Sequence, residues 1–189
     1  MVEFVSPYVA FSAPSGAGKT TIVKKLVEKY PEQLVISVSA TTRPMRPGER
    51  DGVDYYFMTE EEFKQAIKQG RFLEWELVHG NYYGTLLEKI QGHTEQGKTV
   101  LFDIDVKGAQ SVKRNFPEAI LIFIKPPSKE ELIRRLKMRR SEDEATIRKR
   151  LERLEFEYEQ ARFFDHIVIN DRLEDAVRQV ERIIIKNKA

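Results

Sequence analysis

Short apolar runs alternate along this chain with longer stretches whose apolar residues recur every three or four positions. Tyr8–Ser12, YVAFS, is an apolar run that stops at a glycine-rich turn, the pattern of a buried strand. In the following KTTIVKKLVEKY, Ile22, Val23, Leu26 and Val27 fall on one helical face and lysines on the other. LVISVS predicts another strand; Leu101–Asp105 (LFDID) and Ala119–Lys125 (AILIFIK) predict two more, with a helix in VKGAQSVKRNF between them. HIVIN and the amphipathic RLEDAVRQVERIII, with Asp171 as N-cap, complete the series. Strands alternating with helices predict a parallel sheet covered on both faces.

Two segments interrupt that alternation. From Ser39 to Thr85 the chain is rich in Arg, Gly, Pro and Tyr, with short strands expected in YYFM and FLEWELV. Between them, TEEEFKQAIKQG opens on a capping box, Thr59 with Glu62, and closes on Gly70. This reads as a small α+β lobe inserted into the α/β core. The second interruption starts at KPPSKEELIRRL, where Ser128 can cap a helix with Glu131, and runs through the arginine-dense KMRRSEDEATIRKRLERLEFEYEQARFF.

Composition narrows the function classes. With 189 residues, 41% hydrophobic and 33% charged, the chain suits one compact domain with lobes, or two small ones. No apolar run approaches the roughly 18 residues that span a bilayer, so no membrane association is expected. The first residues carry Glu3 and no basic stretch, and do not read as a signal peptide. Cysteine is absent, which fits a reducing, cytoplasmic compartment. His79, His93 and His166 are too scattered to suggest a zinc site. The 32 basic and 30 acidic side chains leave a formal charge of +2, which favours local basic pockets over a nucleic-acid groove.

The glycine-rich turn carries candidate chemistry. APSGAGKTT nearly matches G-x-x-x-x-G-K-[ST], with Gly18, Lys19 and Thr20 in place and Ala13 where the first glycine stands. Such a loop aims backbone N–H groups at phosphates from a helix N-terminus. Lys19 adds a mobile charge for the β and γ oxygens, and the Thr20 hydroxyl can ligate Mg²⁺. An ordinary glycine turn before a helix is the plainer alternative. Alanine is tolerable at position 13 if the backbone needs no positive φ there, so a negative φ is expected.

A second constellation, SATTRPMRPGERDGVDYYF, sets Arg43, Arg46 and Arg50 beside Ser39, Tyr55 and Tyr56. Guanidinium forks with a tyrosine hydroxyl suit a phosphate monoester, although a solvated basic loop would show the same composition. In FLEWELV, Glu74 and Glu76 share a face, which alone could be the wet side of a strand. Asp103 and Asp105 stand at the carboxyl end of their strand, where α/β sheets place ligands.

These motifs, in the order APSGAGKTT, SATTRPMRPGERDGVDYYF, FLEWELVHGNYYGT, LFDIDVKGAQSVK, PPSKEELIRRL and IVIND, resemble the guanylate kinase family from about Tyr8 to Asp171. The resemblance implies a P-loop NTPase-type parallel sheet flanked by helices, with a GMP-binding lobe and a helical lid. The expected division is 1–38, 86–126 and 156–189 for the ATP-binding core, 39–85 for the lobe and 127–155 for the lid. It implies transfer of the γ-phosphate of ATP to GMP, with dGMP as a further acceptor, giving ADP and GDP with Mg²⁺.

Carried over by position, Ala13, Pro14, Ser15, Gly16, Ala17, Gly18, Lys19, Thr20 and Thr21 would hold the ATP phosphates, and Asn170 would lie near the adenine. Arg43, Arg46, Tyr55 and Tyr83 would hold the GMP phosphate; Ser39, Glu74, Thr85 and Asp105 would read the guanine. The family commonly has serine where this chain has Thr85; the hydroxyl survives. Thr20, with Asp103 acting through water, would organise Mg²⁺. Lys19, Arg135, Arg139 and Arg150 would act catalytically on the moving phosphoryl group. Arg134, Arg140, Arg148 and Arg153 read instead as surface residues paired with Glu142, Asp143, Glu144 or Glu152. A guanylate kinase-like scaffold module would reuse the GMP-phosphate site for a phosphopeptide. Lys19, Thr20 and the lid arginines, with no attached interaction domain, favour the enzyme. Another nucleoside monophosphate kinase is disfavoured by Glu74 and the Ser39–Tyr55 segment. Oligomeric state, monomer or homodimer, is left open.

Overall fold

YVAFS forms β1 (Tyr8–Ser12), the middle strand of a five-stranded parallel sheet, in a computed structural model that describes residues 1–14, 16–138 and 143–187. The sheet runs β2 (Leu34–Ile36), β7 (Thr99–Asp103), β1, β8 (Ile120–Lys125), β9 (His166–Ile169). Alternation along β1 explains the two cores. Val9 and Phe11 point to a cluster with Ile22, Val23 and Leu26 of α1 (Lys19–Lys29) and Val177, Val180 and Ile184 of α7 (Leu173–Ile184). Ala10 points the other way, to Ile90 of α3 (Leu87–Glu95) and Ala109 and Val112 of α4 (Val106–Asn115). Both faces are covered, as the buried β-type runs required.

The segment after β2 builds a second, four-stranded sheet: β4 (Tyr56–Phe57), β3 (Ala40–Thr41), β6 (Asn81–Leu86), β5 (Phe72–Val78). Its strands are mixed, β3 parallel to β4 and antiparallel to β6. α2 (Glu60–Lys68) packs on it through buried Phe63, which stacks with Phe72 and Tyr82. Thr59 caps α2 by accepting from the Glu62 N–H at 3.1 Å. Gly70, at φ +66, ends it, with the Arg71 N–H returning to the Ala66 carbonyl.

α5 (Lys129–Met138) starts where expected, its Glu131 N–H donating to the Ser128 hydroxyl at 3.1 Å. α6 (Glu144–Gln160) is capped by Asp143 and runs unbroken past position 155 into a three-residue 3₁₀ turn, Ala161–Phe163. Its third turn packs Leu154 against Leu132 of α5; its last turn puts Tyr158 against Phe123 of the central sheet. Ser15, Arg139, Arg140 and Glu142 of the sequence reading lie outside the described residues.

Three local expectations are corrected. Asp171 does not cap α7: the N-cap is Arg172, without a side-chain bond. Asn170 is tied down first, its N–H to the Lys125 carbonyl and its side chain to the Ala17 carbonyl, and the chain needs two more residues to turn into the helix. Glu174 and Asp175 in the first turn supply the negative charge there instead. The strand of LFDID ends at Asp103, because Asp105 leaves it to cap α4, accepting from the Gly108 N–H at 2.7 Å. LVISVS is a strand only through Ile36. The elements β3, β6 and α3 had no counterpart in the sequence reading. Among the described residues no helix is long and apolar enough to cross a membrane.

Candidate active site

The phosphate loop leaves β1 at Ala13 and enters α1 at Lys19. Ala13 is not among the residues with positive φ, as expected, whereas Gly16 and Gly18 stand at +86° and +89°. Gly18 is required twice over. Any other residue would be strained at that φ, and a Cβ there would sit 2.4 Å from Asn170 Nδ2. Asn170 is buried and donates from Nδ2 to the Ala17 carbonyl at 2.8 Å, so its side chain buttresses the loop. The N-cap Gly18 has no side chain to cap α1, so its first N–H groups suit an anion.

Parallel pairing of β1 with β7 sets Phe11 beside Asp103 and brings the carboxylate to the loop. Lys19 Nζ lies 2.7 Å from Asp103 Oδ1, and the Thr20 hydroxyl donates to Oδ2 at 2.8 Å. These groups line a cavity of about 570 Å³ whose walls are Ala13, Pro14 and residues 16–21 of the loop, the segment Asp103–Asp105, and the helices α5 and α6.

The helical wall departs from the sequence reading. Arg150 faces the cavity as expected, but so do Arg153 and Glu157, one face of α6 at i, i+3, i+7. Arg153 is a surface residue as read, its side chain 67% exposed, but it stands at the cavity wall and pairs with Glu157 at 3.5 Å rather than with Asp143, Glu144 or Glu152. Arg134 likewise pairs with Glu131, not with the acids that follow position 141. Burial raises the Glu157 carboxyl above its ordinary range, partly offset by Arg153 and Lys19. Helical spacing from Arg150 was the signal that could have found both residues. Arg135 reaches the loop from α5, with its Nη groups 3.5 Å from the carbonyls of Gly16 and Asn170.

In the second sheet, β5–β6 register sets Glu74 opposite Thr85, whose buried hydroxyl donates to Glu74 Oε1 at 2.7 Å. Burial pushes the Glu74 carboxyl up, opposed by the Thr85 bond and reinforced by Asp105 and Glu76. Asp105 therefore belongs to both places: it lines the cavity and acts on Glu74. Arg43 stacks 5.1 Å from the Tyr55 ring, and Tyr55 meets Tyr83 edge-on at 6.1 Å. The Arg46 side chain is exposed, and the Ser39 carbonyl pairs with the Tyr56 N–H. Apart from Asp105, none of the residues expected to bind GMP lines the cavity. Glu49, which the sequence reading passed over, holds Arg43 through two hydrogen bonds of 2.9 and 2.8 Å.

Comparison with known proteins agrees with this architecture along nearly the whole chain. The guanylate kinase family model matches residues 6–187. The guanylate kinase of Chlorobium luteolum is 49% identical over 180 residues, 95% of this chain and 91% of its own length. That of Thermotoga maritima is 47% identical over 176 residues, 93% of this chain and 84% of its own length. The crystal structure of guanylate kinase from Anaplasma phagocytophilum superposes with a TM-score of 0.70 at 33% identity, covering 97% of this chain and 86% of that one. The chain belongs to the guanylate kinase family.

Proposed function

We infer from family membership and the site together that this chain is an ATP:GMP phosphotransferase, moving the γ-phosphate of ATP to GMP and releasing ADP and GDP. The observation that carries the reading is the cavity at the phosphate loop, where Lys19 and Thr20 meet Asp103 and Asp105 completes the wall.

Residue roles follow from chemistry. The uncapped start of α1 and Lys19 bind and orient the donor phosphates. Guanine presents N1–H and an exocyclic amine as adjacent donors, which the Glu74 carboxylate accepts; adenine has no such pair. A buried carboxylate left unpaired discriminates strongly against AMP. Arg43, Arg46, Tyr55 and Tyr83 hold the acceptor phosphate. Recognition by base edge and phosphate makes no call on the 2′-hydroxyl, so dGMP is accepted as well. Arg135 and Arg150, joined by Arg139, neutralise charge on the moving phosphoryl group and exclude water.

The oxygen donors of Thr20 and Asp103 suit Mg²⁺, a hard cation that retains waters and takes its remaining ligands from phosphates. Among the described residues no cluster of three acidic or His ligands competes for it. Bound there, Mg²⁺ would supply charge neutralisation for the β and γ oxygens. The expected setting is the cytoplasm, in keeping with the absence of cysteine from the sequence.

A coupled ADP-release assay with GMP, AMP, UMP and CMP as acceptors tests the reading. GMP-selective turnover lost in Lys19→Ala is expected. Comparable turnover with AMP overturns the guanine assignment. Inactivity with all four together with phosphopeptide binding identifies a scaffold module instead.

A further inference from the structure

The turn Arg46-Pro47-Gly48-Glu49 builds a feature that none of these roles accounts for. Proline then glycine at its centre, with Gly48 at φ +86, is the type II pattern, closed by the Glu49 N–H donating to the Arg46 carbonyl at 3.0 Å. The turn folds the Glu49 carboxylate back over the segment that precedes it. Oε1 accepts from the Arg46 N–H at 2.7 Å and from Arg43 Nη1 at 2.9 Å, and Oε2 accepts from Arg43 Nη2 at 2.8 Å. The pair is sheltered, with side chains only 11% and 19% exposed. The Arg43 hydrogen bonds hold the Glu49 carboxyl down to about 2, so it is ionised across the physiological range.

The donors of Arg43 can be counted. A guanidinium has five N–H groups. Glu49 takes one from each Nη, and the Pro44 carbonyl takes the other Nη1 hydrogen at 3.1 Å. None of these bonds takes the Nε–H or the second Nη2 hydrogen, a parallel pair on the side edge of the guanidinium, and the Tyr55 hydroxyl is the one further side-chain partner drawn to Arg43. That edge matches two oxygens of one phosphate. Glu49 occupies the end edge, so the carboxylate and a phosphate fit Arg43 together rather than in competition. The ring of Tyr55 backs the same guanidinium.

We propose that Glu49 is a positioning residue for the acceptor phosphate: it grips Arg43 end-on and so presents the side edge of the guanidinium as a preformed fork for a phosphate monoester. The proposal rests on the GMP reading above. An untethered arginine would have to give up its rotamer freedom on binding, and a tethered one has already done so.

Glu49→Gln is the substitution of choice, since it keeps the volume and the acceptor for the Arg46 N–H while removing the charge. GMP and guanosine are titrated by calorimetry into wild type, Glu49→Gln, Glu49→Asp, Arg43→Ala and the Arg43→Ala/Glu49→Gln double variant, with steady-state kinetics alongside. In Glu49→Gln, the Kd and KM for GMP should rise about tenfold, the loss of a charge-assisted bond, with guanosine affinity and the KM for ATP unchanged. Glu49→Asp, charged but one methylene short, should fall between. In the Arg43→Ala background the substitution should cost less than about twofold, because Glu49 acts through Arg43. Unchanged GMP affinity overturns the proposal, and tighter GMP binding overturns it by marking Glu49 as a competitor. Equal weakening of guanosine also overturns it, since that reports damage to the whole lobe. A wild type that binds no GMP overturns the functional reading and this proposal together, whereas wild-type binding with an unaffected Glu49→Gln overturns the proposal alone.

Discussion

Lys19 Nζ and Asp103 Oδ1 are 2.7 Å apart, and the other oxygen of the same carboxylate accepts from the Thr20 hydroxyl at 2.8 Å. One residue at the end of a central strand thus touches two polar side chains of the phosphate loop. The Lys19 and Asp103 side chains are 20% and 26% exposed, so the ion pair contributes at most about 1 kcal/mol to stability. Asp103→Asn should therefore leave thermal unfolding nearly unchanged. It should lower kcat by about a hundredfold, through misplaced Lys19 and weakened Mg²⁺ organisation. Steady-state kinetics across a Mg²⁺ titration checks this; unaltered kcat would separate Asp103 from the reaction.

Glu74 provides a pH signature. Burial raises its carboxyl above the ordinary 4.5. Guanine recognition needs the ionised form, so GMP affinity should weaken as pH falls through the raised value, at a pH where an ordinary carboxylate would still be charged. Stability moves the other way. A carboxyl raised in the folded state binds its proton more tightly there, so its contribution is greatest below the unfolded pKa and is lost as pH rises through the folded one. Glu74→Gln should abolish the acid-side loss of GMP affinity and lower that affinity at neutral pH by at least tenfold. Calorimetric titration of GMP between pH 5 and 8 measures both effects; a parallel pH dependence in the variant would exclude Glu74 as its source.

Gly18 and Ala13 should respond oppositely to exchange. Ala13→Gly relieves nothing, because the backbone there has no positive φ, and ATP affinity should stay within about twofold. Gly18→Ala meets both φ +89 and Asn170 Nδ2 at 2.4 Å, and should destabilise the fold by about 1–3 kcal/mol. It should also weaken ATP binding sharply, with Asn170→Ala restoring part of the loss by removing the clash. Binding of a non-hydrolysable ATP analogue and denaturant unfolding report the two quantities separately.

The arginines of α6 divide by face. Arg153 and Arg148 are both exposed, but only Arg153 lines the cavity beside Arg150. Arg153→Ala should reduce kcat/KM for ATP by about tenfold, and Arg148→Ala should leave it within about twofold. Equal effects of the two substitutions, measured under the same conditions, would refute a facing role for Arg153.

Closure can be read in solution. If the helices α5 and α6 fold over the phosphates when both substrates are present, the radius of gyration should fall with ATP and GMP analogues together, and less with either alone. Small-angle scattering that shows no compaction would rule this out.

Local patterning carried much of the architecture. Continuous apolar runs marked β1 and β8, period-3.6 apolar spacing marked α1, α4 was placed between two such runs, and the Thr59 and Ser128 caps marked the starts of α2 and α5. The loop chemistry at Gly18, Lys19 and Thr20 was equally local, as was the tolerance of Ala13, since these depend on backbone conformations within a few residues. Two-residue strands such as β3 were not legible, because what defines them is pairing with distant partners rather than their own sequence.

What only the tertiary structure decided is which side chains meet. Asp103 reaches Lys19 and Thr20 because β7 lies beside β1, 84 and 83 residues away in sequence by their numbering. Asn170 buttresses the phosphate loop, Glu157 and Arg153 turn to the cavity, and Glu49 grips Arg43 through a turn whose outcome depends on where Arg43 is held. Sequence determined most of the elements and the chemical kinds of residue at hand, because propensity and periodicity act over a few residues. The pairing of those residues waited on the sheet order and helix packing, because contacts between distant segments exist only once the chain has brought them together.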